Sequence, residues 1–198
     1  LALINSGKLL GRMGRPPDGL QRIRTALTQE PDEPRLWCHA GDLMVTLGQD
    51  ERALGCFAEA VRLAPADADA WYAQGQIHVR AGRPTDALEC LDRAVAARSD
   101  FGAALYERGR LLRAQGQAES AVASLRGAVD ALPDDAEAHC EFAWALLDLG
   151  EARESLEGFE RAALLAPTAP APWDGQAAAH AALGAAAMAA LARSTAAE

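Results

Sequence analysis

Aromatic residues are scarce, only 5% of the 198-residue chain, while half of it is hydrophobic and Ala dominates. That shortage argues against a sheet-rich domain, whose strands call for β-branched and aromatic side chains. The four cysteines, Cys38, Cys56, Cys90 and Cys140, are far apart and form no C-x-x-C pair. This spacing excludes a zinc knuckle and a thioredoxin-like motif, and leaves reduced, packed thiols in a cytoplasm as the simplest reading. A cationic excess is also missing, with 19 Lys and Arg against 28 Asp and Glu and a net charge of −9. Binding to nucleic acid or to an anionic membrane needs the opposite balance. The most apolar run, Ala177–Ala192, is short, mostly Ala, and contains His180 and Gly184, so membrane insertion is not expected. The chain opens Leu-Ala-Leu with no Met and no secretory signal, which suggests a piece of a longer protein. The Ala- and Arg-rich composition, with Asn5 as the single Asn, suggests a bacterial source.

What the sequence has is a period. Gly14, Gly48, Gly82, Gly116, Gly150 and Gly184 recur every 34 residues, each between two amphipathic stretches. Glycine in the left-handed conformation ends a helix and permits a tight turn, so the spacing predicts a helix–turn–helix unit. Pro31, Pro65, Pro133 and Pro167 close the second helix of their units, with Ser99 taking that place once. Asp32, Asp67, Asp100, Asp134, Asp135 and Thr168 follow, supplying oxygens for the unpaired N–H groups where the next helix begins.

Columns of like residues share this register. Small residues occupy Gly7, Gly41, Gly75, Gly109, Ala143 and Ala177 in the first helix, and Ala53, Ala87, Ala121, Ser155 and Ala189 in the second. Ala26, Ala60, Ala94, Ala128, Ala162 and Ala196 form a further small column. Large residues alternate with them: Trp37, Trp71, Leu105, His139 and Trp173 in one phase, Ile23, Phe57, Leu91, Leu125 and Phe159 in the other. Such alternation gives interdigitated packing between paired helices. Trp37, Gly41, Ala53, Phe57, Ala60 and Pro65 stand at the spacings of a tetratricopeptide repeat, and the chain resembles that family over essentially its whole length. Departures are local: His139 replaces the usual Trp, His78 and His180 stand where an aromatic is usual, and Arg193 breaks the apolar column of the last repeat. The resemblance implies an all-α, right-handed superhelical solenoid of about six repeats: 1–33, 34–67, 68–101, 102–135, 136–169 and a terminal 170–198. In such proteins the first helix of each pair lines a concave groove.

Neither catalysis nor metal binding finds support. Cys38 and His39, like His139 and Cys140, are adjacent on a helix and point about 100° apart, so neither pair forms a dyad. His78, His139 and His180 fall in packing phases, which makes them buried or half-buried core residues. No i,i+4 His pair preorganises a metal, and no cofactor is implied. Helix spacing of about 8–10 Å disfavours a Cys56–Cys90 disulfide.

The inward phase of the first helices is the place left for function. It carries Lys8 and Arg12, then Arg35, Cys38 and Asp42, then Tyr72, Gln76 and Arg80, then Tyr106, Arg110 and Arg113, then Cys140, Trp144 and Asp148. Arginine with tyrosine is the mixture enriched at interface anchors. Trp144 lies outside the packing columns, and an exposed aromatic there points to a binding face, the alternative being that the last repeat or a further C-terminal helix covers it. The plainer alternative pairs Arg80, Arg110 and Arg113 with Glu107, Glu141 and Asp69 as weak surface ion pairs. The expected function is a non-enzymatic scaffold that holds a peptide segment of a partner, acidic where it meets the arginines. The lysine and asparagine sets of repeats that grip chaperone tails, and the asparagine ladder of O-linked N-acetylglucosamine transferases, are absent. A second expectation is the helical arm of a larger enzyme, a glycosyltransferase, sulfotransferase or signalling protein. Self-association through the outer faces is a third.

Overall fold

The structure is a computed structural model that describes Leu10, Gly11 and residues 13–195, with side chains placed as far as residue 185. Gly7, Lys8, Arg12 and Ala196 of the predicted columns lie outside the described residues, and so do the side chains of Ala189 and Arg193. Among the described residues, ten helices follow one another from Pro16 onward: α1 (Pro16–Gln29), α2 (Pro34–Thr46), α3 (Asp50–Leu63), α4 (Ala68–Arg80), α5 (Pro84–Ala97), α6 (Gly102–Ala114), α7 (Ala118–Ala131), α8 (Ala136–Asp148), α9 (Ala152–Leu165) and α10 (Pro170–Thr195). No strand occurs among the described residues. The chain divides into two compact units, Leu1–Ser99 and Asp100–Glu198. In the first, α1 packs on α2, α2 on α3, α3 on α4 and α4 on α5; in the second, the same succession runs from α6 to α10.

The glycine period works as expected five times. Gly14, Gly48, Gly82, Gly116 and Gly150 have φ of 75°, 69°, 67°, 73° and 88°, the left-handed region that side chains with a Cβ avoid. Gly48, Gly82, Gly116 and Gly150 each reverse the chain between two described helices. The facing columns then meet. A Cβ on Gly41 would stand 2.7 Å from the Phe57 ring, one on Gly75 3.2 Å from Leu91, and one on Gly109 would press into Leu125. Those second-helix residues, with Ile23 and Phe159, are among the most deeply buried of the core, at 0–2% exposure. Close backbone approach across the small residue is what lets the large one bury completely.

Gly184 breaks the pattern: α10 runs through it as one helix, and its φ is not positive. The 34-residue register supplies a reason, since folding back there would carry Arg193 into the column of Ile23, Phe57, Leu91, Leu125 and Phe159. An unpaired guanidinium buried at such a place costs several kcal/mol. With no returning helix over them among the described residues, Ala177 and His180 are exposed rather than packed, which corrects the expectation for both. Close approach in α10 falls instead at Gly175, whose missing Cβ makes room for the Phe159 ring.

Capping follows the prediction in part. Asp67 accepts from the Ala70 N–H at 3.1 Å, and Asp135 from Glu137 and Ala138 at 2.9 and 3.1 Å. At α2 the cap is Glu33 rather than Asp32, and at α6 it is Phe101, with no side-chain bond, rather than Asp100. The Trp column has a second job that its apolar phase concealed. The ring N–H groups of Trp37, Trp71 and Trp173 donate to the carbonyls of Pro31, Pro65 and Pro167 at 2.7, 2.9 and 3.1 Å. His139 Nε2 reaches the Pro133 carbonyl at 3.0 Å in the same way, so the substitution keeps the bond that ties each proline turn to the following helix.

Candidate functional site

In the first unit, α2 and α4 present one face side by side, with Arg35, Cys38 and Asp42 on α2 and Tyr72, Gln76 and Arg80 on α4. Between them lies a cleft of about 310 Å³, whose lining includes Arg35, Cys38, His39, Asp42, Phe57, Asp67 and Asp69. Ala70 and Ala73 keep it open by their size. The Cys38 thiol donates to Asp67 Oδ2 at 3.6 Å. Burial, then the charge of Asp67, pushes that thiol up to about 12, so it stays protonated and unreactive at neutral pH. Further along α4, Gln76 Nε2 donates to the Tyr72 hydroxyl at 2.8 Å, so these two form one polar unit. Arg80 lies on Asp50 of α3, with N···O distances of 3.2–3.4 Å. Asp69, considered above as a partner for an inward arginine, is held by Arg98 at 2.6 Å instead.

In the second unit, α6 and α8 carry the other half of the predicted set. The Arg110 guanidinium sits 5.5 Å above the Tyr106 ring and 3.4 Å from Glu107. Arg113 bridges Glu141 and Asp148, both at 2.9 Å, and lies 5.9 Å from the Trp144 ring centroid. The Tyr106 hydroxyl reaches Glu137 at 3.5 Å, and burial above all, with Glu137, Glu141 and Glu107 adding to it, pushes that phenol up to about 12. Cys140, on α8, is pushed to about 11 by burial and by Glu141 and Glu137.

Trp144 is half-buried, not an open aromatic. Its ring meets Phe159 edge-on at 5.0 Å and packs on the core of Cys140, Ala143, Ala162 and Ala179. Periodicity missed this because the column of Trp144 holds Asp42, Gln76 and Arg110 in the earlier repeats. The expectation of an acidic partner supposed guanidinium charge to spare. Arg80, Arg110 and Arg113 all lie on carboxylates, as the plainer reading had it for the last two. Arg35 is the one described arginine of the predicted set whose guanidinium has no carboxylate partner among the described residues; its backbone N–H donates to Glu33 at 3.4 Å.

No group of three His, Cys, Asp or Glu side chains among the described residues could hold a metal, and no described helix is long and apolar enough to cross a membrane. The four cysteines form no disulfide.

None of the curated proteins matches the chain in sequence. Solved structures do match in fold. YrrB, described as a TPR protein with an unusual peptide-binding site, is 21% identical with a TM-score of 0.73, over 88% of this chain and 90% of its own. A MamA protein structure is 18% identical with a TM-score of 0.72, over 83% and 90%. MamA from Desulfovibrio magneticus RS-1 is 22% identical with a TM-score of 0.71, over 83% and 93%. The family profile of the tetratricopeptide repeat matches residues 4–68, 40–88 and 72–136. The matched residues contain the left-handed Gly14, Gly48, Gly82 and Gly116 and the packed pairs Gly41–Phe57, Gly75–Leu91 and Gly109–Leu125, and the chain belongs to the tetratricopeptide repeat family.

Proposed function

We propose that this chain is a non-enzymatic interaction scaffold that holds a peptide segment of a partner protein against the first-helix faces of its repeats. The observation that carries the reading is the α6–α8 face. Tyr106, Arg110 and Arg113 remain accessible there, yet are held in place by ring contacts and ion pairs. Ordering such side chains beforehand lowers the entropy lost on binding, which is how aromatic and arginine anchors act at interfaces. Tyr72 with Gln76 offers a like surface on α4. The peptide-binding description of YrrB, a protein of the same fold, supports the reading. A reducing cytoplasm suits the four unpaired thiols.

Photo-crosslinking tests it. Benzoyl-phenylalanine at Gln76 or Arg110 should capture a defined partner in cells, whereas the same group at Glu157, exposed on α9, should not. Equal capture from both sides would retire the assignment of the first-helix faces.

A further inference from the structure

We infer that the cleft between α2 and α4 receives a basic side chain, lysine or arginine, of the bound protein segment. This rests on the peptide-binding reading and reverses the charge the sequence alone suggested for the partner. The rim holds Asp42, Asp67 and Asp69 against a single cation, Arg35. Arg98 neutralises Asp69 at 2.6 Å. The other two have no guanidinium or ammonium partner among the described residues: Asp42 has only the His39 ring at 3.8 Å, and Asp67 is occupied by the Ala70 N–H and the Cys38 thiol.

The floor suits the other half of a basic side chain. Cys38 and Ala73, both half-buried, give a small apolar floor above the buried Phe57 and Ala70 in a cleft of about 310 Å³, where a methylene stem lies down while its charged head stays at the polar rim. Both carboxylates also act on the Cys38 thiol: after burial, Asp67 and then Asp42 hold it in its neutral form. A second anion brought here would meet that same field, and a cation would relieve it.

The sign is repeated on the α6–α8 face, which shares no residue with the cleft. Glu107, Glu137, Glu141 and Asp148 outnumber Arg110 and Arg113, and among the described residues the Glu137 carboxylate meets only the Tyr106 hydroxyl. A partner complementary to one face is therefore complementary in charge to the other.

The full chain, at about 0.15 M salt, is presented with a bead library of dodecapeptides fixed in turn for Lys, Arg, Glu or Asp. Lys and Arg pools should be retained over Glu and Asp pools. Asp42→Asn should lower that retention about threefold to fivefold, the scale of one half-exposed charge pair, and Asp42→Lys should abolish the preference. Glu157→Gln, on α9, should leave it unchanged, and the helical circular-dichroism signal should be the same throughout. Preferred retention of Glu or Asp pools would overturn the inference while leaving peptide binding intact. A Lys preference indifferent to both Asp42 variants would overturn the assignment to this cleft. Retention of no pool would overturn the inference together with the peptide-binding reading beneath it.

Discussion

Two glycine-to-alanine substitutions isolate what the small column contributes. Gly109, in α6, has no room for a Cβ: the added carbon would press into Leu125 Cγ and stand 2.9 Å from its Cδ2, and Leu125 is wholly buried. Gly55, in α3, has nothing within 4 Å of the same position. Both sit inside helices, so both substitutions gain the same intrinsic helix preference, about 0.8–1 kcal/mol, and the same reduction in unfolded-state freedom. The difference between them is then the cost of overpacking against Leu125, about 1–3 kcal/mol. Gly55→Ala should raise the urea midpoint followed at 222 nm. Gly109→Ala should lower it, with an unchanged slope against denaturant. Equal midpoints would mean that the first and second helices do not rely on close approach at this column, and the packing rule drawn from the 34-residue period would fail.

The ring bond to the proline turn should behave as a unit. Trp71→Phe removes the 2.9 Å donor to the Pro65 carbonyl and should cost about 0.5–1.5 kcal/mol in chemical denaturation, and His139→Leu about the same. Cys38 should resist alkylation: at pH 9 an ordinary thiol is half ionised, whereas one at about 12 is roughly a thousandth ionised. Iodoacetamide rates read by peptide mapping should be far below those of free cysteine, and Asp67→Asn should raise them. Stability should fall at high pH. The Tyr106 phenol sits at about 12 when folded against 10.0 unfolded, so the fold favours its neutral form; that contribution is complete below pH 10 and lost as pH rises toward 12. Tyr106→Phe should flatten this part of the curve of denaturation midpoint against pH.

Most of the fold was legible because the repeat writes each packing contact several times. A single Gly is uninformative, but Gly41, Gly75 and Gly109 facing Phe57, Leu91 and Leu125 state one contact three times over. The terminal repeat was misread for the same reason. Gly184 keeps the period, and only the charge of Arg193 in a core column opposes the turn. The inward faces of the first helices were harder to read. Spacing assigns residues to a helix face, but an arginine's partner depends on side-chain reach between helices, which spacing does not encode. Arg80 finds Asp50 thirty residues back, and Arg113 finds Asp148 thirty-five residues on. The Trp144 ring, turned onto Phe159, was hidden by a column that is polar in every earlier repeat.

Hydrogen exchange on the chain with a retained library peptide bound bears most directly on where function resides. Slowed exchange should appear in α2, α4, α6 and α8, with α3, α5, α7 and α9 unchanged. Protection confined to the second helices would contradict the assignment of the partner to the faces that carry Asp42, Tyr72 and Tyr106.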